Sequence, residues 1–310
     1  MRLAATPGGS QMHRRHRPSA VLSRHQYLFF IAPAVIIVLG LTAYPALYGV
    51  LVSFTNLNFG YATSKFVGFD NYVRLATWPA LPQVLFNTVI FVSCVVALQL
   101  GIGLLAALLL NKAVFGRGLV RSIAILPWVI PGIIIALMFQ QLFSGSRLGI
   151  MNTVIETLGF QSRSWFSDPV QAMIIMILAV VWRGVPLSII LQLGGLQTIA
   201  KELYEAAAID GASRWQMLRY VTIPSLKPIL LINVIMATSG TLNHVDIPLA
   251  LTGGGPGRAT EVLALSIYKQ GFEVLDAAYA STIATVILVV NLVLTIVYLR
   301  VLRTKDDPAR

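Results

Sequence analysis

The chain has 310 residues, 56% of them hydrophobic and 11% charged, with a formal net charge of +11. A soluble domain of this length needs far less apolar sequence, so the composition points to integration in a membrane. Its basic residues sit at the ends of apolar runs rather than on one polar helix, which sets nucleic acid aside as a partner. A single cysteine, Cys94, lies inside an apolar run, and the four histidines form no ligand-spaced pair, so neither a disulfide framework nor a metal cluster is expected.

Residues 1–26, with Arg2, Arg14, Arg15, Arg17 and Arg24 among Gly, Ser and Pro, read as a disordered basic tail. The apolar run that follows, 27–54, is too long for the ~7–15-residue core of a signal peptide. It reads as a retained span, kinked at Pro33 and Pro45. Further apolar runs fall at about 84–110, 122–143, 169–193, 225–250 and 279–301, each near the ~20 residues that cross a hydrocarbon core. The expectation is an all-α integral membrane protein with six spans over 27–301, followed by a short tail, 302–310. In the 122–143 run Pro127 and Pro131 are tolerated only inside a bundle. Between spans, 68–75 (GFDNYVRL) reads as a short interfacial helix, and Trp165–Phe166 as an aromatic anchor at the headgroup level.

Lys and Arg set the orientation. The segments 1–26, 111–121, 194–227 and 300–310 hold 16 of the 23, whereas 55–83, 144–168 and 251–278 hold 6, and Arg183 lies within a span. The positive-inside rule then puts both termini and the 194–227 segment in the cytoplasm.

That cytoplasmic segment has an internal order unlike a loop. Lys201 to Asp210 reads as a helix, with Lys201 and Glu205 four apart and Ala206–Ala208 as strong helix formers. Gly211 supplies the turn. Ser213 with Gln216 is a capping-box start for a second helix bearing Trp215, Leu218 and Val221 on one side, and Pro224 and Pro228 open the next run. Glu205-Ala206-Ala207, then Gly211 and finally Pro224 in register resemble the EAA motif of permease subunits of binding-protein-dependent ABC importers. Val221 and Ile223 stand where that family more usually has Ile and Leu. The resemblance implies the type I importer permease fold, with 200–224 as the coupling segment that enters a cleft on an ATPase subunit. Glu205, Ala206, Ala207, Asp210, Gly211 and Pro224 are its candidate residues. The other reading of the segment is an amphipathic hairpin on the membrane surface.

GGGPG at 253–257 is no phosphate loop, because Gly-Lys-Ser/Thr is missing at its end, and no Walker motif occurs elsewhere. The chain is therefore expected to be no enzyme and to hold no cofactor of its own. Asp246, Leu251, Thr252, Gly253–Pro256, Thr260 and Tyr268 resemble the carbohydrate branch of the same permeases, of maltose and glycerol-phosphate type, as do YLFFIAPAVIIV and 43–56. The resemblance runs from Tyr27 through most of the chain. It implies two ABC ATPase subunits that carry ATP and Mg, a second related permease, an extracytoplasmic solute-binding protein, and a place in the bacterial cytoplasmic membrane. The implied solute is a sugar, polyol or related compound.

Polar groups inside spans are candidates for a solute path, since facing lipid costs them. Trp182, Gln192, Asn233, Asn243 and Asp246 offer the aromatic face, donors and acceptors that a sugar needs. The same groups could equally serve as inter-helix hydrogen bonds, with Arg183 and Asp246 neutralising one another. A rival function is a stand-alone ion-coupled transporter, for which Asp246 is the one carboxylate well inside an expected span. A membrane enzyme or receptor would need a nucleophile–base set or a soluble domain, and neither is evident.

Overall fold

The computed structural model describes residues 24–60, 64–111, 117–146 and 149–303; of the expected tails 1–26 and 302–310, residues 1–23 and 304–310 lie outside the described residues, while 24–26 and 302–303 belong to the first and last helices. The chain divides into two compact units, 1–48 and 49–310. The first helix, α1 (Arg24–Val52), starts in the first unit and passes Pro33 and Pro45 without ending. Within that unit Thr42 Oγ1 donates to the Val38 carbonyl at 2.6 Å, and Tyr44 stacks on Tyr48 with centroids 6.3 Å apart.

The second unit is helical apart from one isolated bridge between Thr55 and Phe66 among the described residues. In chain order it holds α2 (Asp70–Ala76), α3 (Leu81–Asn111), α4 (Arg117–Val129), α5 (Gly132–Leu142) and α6 (Ile150–Thr157). Then come α7 (Pro169–Thr198), α8 (Lys201–Ile209), α9 (Arg214–Met217), α10 (Ile223–Leu242), α11 (Asp246–Thr252), α12 (Leu263–Tyr268) and α13 (Ala277–Arg303). Five helical segments are long and apolar enough to cross a membrane by themselves, and α4 with α5 form a bent pair that could make a sixth.

The 122–143 run is where the architecture departs most from the expectation of one kinked span. Ser122–Val129 and Gly132–Leu142 are turned by 99° to each other. Pro131 adopts extended backbone, with φ −55° and ψ 138°. A proline disfavours helical backbone in the residue before it and supplies no N–H to continue the ladder, so two prolines four apart turn the chain. The 225–250 run also divides. α10 ends at Leu242, and Asp246 opens a separate short helix instead of lying deep in a span.

The long helices pack through small residues. A Cβ on Gly103 of α3 would come 2.6 Å from Ser188 Cβ of α7, and one on Gly184 would overlap the Gln99 carboxamide. Such close approach is how membrane helices gain van der Waals contact where lipid offers no hydrophobic drive. One apolar cluster joins Phe91 and Val95 of α3, Ile135 of α5, Met176 and Val180 of α7, and Ile247 and Leu251 of α11. A second joins Leu75, Val84, Leu242, Tyr279, Ile283 and Ile287. A third, towards the α8 end, joins Ala107, Leu110, Ile189, Leu193 and Leu226.

The expected interfacial helix is α2, tied down by Asn71, whose Nδ2 donates to the Ser53 and Thr55 carbonyls at 2.9 and 2.7 Å. Trp165 has an internal role rather than that of a free headgroup anchor. Its Nε1 donates to Asn152 Oδ1 at 2.8 Å and its ring meets Phe143 edge-on. Asn152 is buried, so its carbonyl needs a donor, and the indole supplies one.

Candidate functional site: a polar cavity and the hairpin between its walls

Three elements on this fold bear the residues singled out from sequence. The first is a polar cavity of about 150 Å³ among α3, α4, α7 and α10, lined by Gln99, Trp128, Arg183, Ser188, Asn233, Thr241 and His244 among others. Ser188 Oγ donates to Asn233 Oδ1 at 3.1 Å, which joins α7 to α10 and leaves the Asn233 amide nitrogen without a partner. Gln99 Nε2 donates to the Val180 carbonyl at 3.3 Å. Arg183 Nε is buried and also without a partner. His244 Nε2 lies 3.0 Å from Asp246 Oδ1 but outside hydrogen-bond geometry.

Of the five solute-path candidates, only Asn233 lines this cavity. Gln192 is fully buried behind it and donates to the Leu100 carbonyl at 3.2 Å. Asp246 reaches it only through His244, and its carboxylate lies against Gly132, where a side chain would overlap it. Asn243 is exposed and bonds back to the Ser239 carbonyl at 2.8 Å, closing the end of α10. Trp182 sits on another face. It packs near Phe139 and lines an apolar groove with Leu137, Met138 and Ile150. Neighbouring helical positions point about 100° apart, so Arg183 faces the cavity while Trp182 does not. Gln99 and Ser188 escaped the sequence reading. Gln99 carried a usable signal, since it is a lone amide in an apolar run like Asn233.

The second element is the hairpin that connects the cavity's walls. α7 ends at Thr198, α8 and α9 follow, and α10 carries the chain back. Gly211, at φ +76°, makes the turn that L side chains rarely adopt. Ser213 and Gln216 form the reciprocal capping box. Tyr204 and Thr222 hydroxyls, 3.1 Å apart, close the hairpin. Glu205, Ala206, Asp210 and Pro224 are exposed and Ala207 half-buried. Ile209 and Trp215 stand out at 87% and 68% exposure. The second helix is not a continuous amphipathic one. After Met217 the chain widens into a π-turn over Leu218–Thr222, which places Trp215, Leu218 and Val221 on no single stripe. Pro224 accounts for this, because it has no N–H for the Tyr220 carbonyl and its ring crowds that oxygen.

The third element is the glycine-rich turn after α11. Gly254 has φ +90°, and a side chain there would press on Lys269 Nζ and Leu265. Thr260 Oγ1 lies 2.7 Å from both Thr252 Oγ1 and the Gly255 carbonyl, sharing its one proton between them. Buried Glu261 accepts from Ser266 at 2.9 Å and lies 3.7 and 3.8 Å from Arg258 and Lys269. Thr252, Gly255, Pro256 and Thr260 thus build a packed turn, with the two threonines bonded to each other.

Residues 99–305 match the sequence pattern of the family described as the inner membrane component of binding-protein-dependent transport systems. The sulfoquinovosyl glycerol transport system permease protein SmoG of Agrobacterium fabrum is 34% identical over 280 residues, covering 90% of this chain and 91% of that one. The trehalose/maltose transport system permease protein MalF of Thermococcus litoralis is 38% identical over 245 residues, covering 78% and 81%. Among solved structures, a chain of a bacterial ABC transporter involved in import of the acidic polysaccharide alginate superposes with a TM-score of 0.77. It is 22% identical, with 92% of this chain and 97% of that one covered, a likeness of fold.

Proposed function

This chain belongs to the family of binding-protein-dependent transport inner membrane components, and we propose on that premise that it is one permease of an ATP-driven importer for a sugar, polyol or related solute. Relatives named for sulfoquinovosyl glycerol and for trehalose and maltose favour that solute class. The observation that carries the reading is the connection between hairpin and cavity. α8 and α9 are inserted directly between α7 and α10, the two helices that supply Arg183, Ser188, Asn233 and Thr241. A force on the hairpin therefore acts on both helices that wall the polar space.

Two separate ATPase subunits, with ATP and Mg, would close and push on Glu205, Ala206, Ala207, Asp210 and Gly211. Small residues there permit close approach, and exposed Ile209 and Trp215 supply apolar contact. Pro224 sets the π-turn through which the push enters α10. The cavity would then open outward to a loaded binding protein, with a second related permease completing the path. The lining set proposed for the solute is Gln99, Arg183, Ser188, Asn233, Thr241 and His244. With α4 and α5 counted as one crossing, the six crossings and the positive-inside rule would put both termini and the hairpin in the cytoplasm.

The test is pull-down of the tagged chain from detergent-solubilised membranes, with identification of what accompanies it. Co-purification of an ATPase and a second permease is expected, with loss of the ATPase in Gly211→Asp. Aspartate tolerates left-handed backbone better than most residues, so this variant should fold and insert while uptake disappears. Recovery of the chain alone, with solute flux that needs no ATP, would overturn the reading in favour of a stand-alone transporter.

A further inference from the structure

We propose that the solute group received by the polar cavity is anionic, a carboxylate, sulfonate or phosphate on the sugar, and that Arg183 is the residue that selects it. The inference rests on the permease reading and goes beyond it by fixing the charge of the solute. Arg183 lies in the middle of α7, an apolar helix long enough to span a membrane. Its Nε is buried, and among the described residues its guanidinium forms no hydrogen bond and no ion pair. Charged side chains at membrane depth are costly and are retained where they pair with one another or face a water-filled path.

Three carboxylates of the second unit have a basic neighbour among the described residues. Asp246 stands by His244, Glu261 by Arg258 and Lys269, and Asp276 by Arg74. No Asp or Glu lines the cavity. Three residues of its lining carry a buried polar atom without a partner, Arg183 Nε, Asn233 Nδ2 and His244 Nε2, the first two of them donors. Ser188 already occupies the Asn233 carbonyl. A neutral hydroxyl brings one donor and two acceptor positions, and a guanidinium uses only the acceptors. An oxyanion brings acceptors only and also neutralises the guanidinium, through charge-assisted bonds about twice as strong as neutral ones.

The test compares binding of D-glucuronate and D-glucose to the purified full chain in detergent, at matched ionic strength. Glucuronate is expected to bind about ten-fold more tightly, since a hydrogen bond between charged groups is worth roughly that factor. The preference should collapse towards unity in Arg183→Gln and survive in Arg183→Lys, which keeps the charge. Ligand-free thermal unfolding of Arg183→Gln at or above the wild-type midpoint would show that the variant is folded and that an uncompensated charge has been removed. Equal or tighter binding of glucose, a preference that persists in Arg183→Gln, or binding of neither sugar would overturn the proposal. The pull-down above judges the permease reading separately. Co-purified ATPase with no preference for glucuronate removes only the anionic solute, whereas recovery of the chain alone removes the permease reading itself.

Discussion

Helix packing in this chain is decided at single small residues, and two glycines on one helix show how differently they act. Gly101 and Gly103 both lie in α3, yet nothing stands within 4 Å of a Cβ on Gly101, while one on Gly103 meets Ser188 Cβ at 2.6 Å and the Ser188 backbone carbon at 3.3 Å. Alanine favours a helix over glycine by up to ~1 kcal/mol. Overpacking against backbone costs ~1–3 kcal/mol, so at Gly103 the clash wins. Gly101→Ala should therefore hold or raise the thermal midpoint in detergent, and Gly103→Ala should lower it. A lowered midpoint in both, or in neither, would contradict the packing. Which glycine sits at the contact was not legible in the sequence, since GIGLL reads the same from either face. It depends on how α3 is rotated against α7, which is set by the whole interface. The solute-path residues behaved the same way. Asn233 was legible as a polar group in an apolar run, but the outward turn of Trp182 and the use of Asn243 to close α10 are matters of helix phase and helix end.

Elements governed by local chemistry were far easier to read. The helix over 201–209, the turn at Gly211 and the Ser213–Gln216 box depend on residues within four positions of each other, and the structure has each of them. The 99° turn between α4 and α5 was less legible, because two prolines announce a break but not its angle. The turn after α11 lies between. Its glycines were evident, whereas its attachment to the rest of the molecule was not. That attachment is Asn87 of α3, whose Nδ2 donates to the Arg258 and Glu261 carbonyls at 2.9 and 3.0 Å. Asn87→Ala leaves two carbonyls without this donor, and an unpaired buried acceptor costs ~1–3 kcal/mol. The variant should lower the thermal midpoint and speed tryptic cleavage after exposed Arg258. Unchanged protection would mean that the Thr252–Thr260 pair and Glu261 suffice to hold the turn.

At the scale of the whole molecule, everything about energy coupling turns on which side of the membrane the hairpin occupies, and the bend between α4 and α5 makes that a real question. If the pair crosses as one span, six crossings return both ends of the chain to the same side. With the N-terminus inside, the hairpin and the end of α13 then face the cytoplasm, and the glycine-rich turn faces outward. If the pair instead enters and leaves on one side, only five crossings remain. With the N-terminus inside, the hairpin would then face outward, away from ATP, and the turn at Gly257 would face inward. Charge favours the first arrangement, since 194–227 holds 4 Lys and Arg against 2 in 251–278. Alkaline phosphatase fused after chosen residues reports the side directly, because its disulfides form only in the oxidising compartment. A fusion after Gly257 should be active, and fusions after Gly211 and Arg303 inactive. Activity after Gly211 with none after Gly257 would establish the re-entrant pair, and no ATPase could then reach the residues that join the two walls of the cavity.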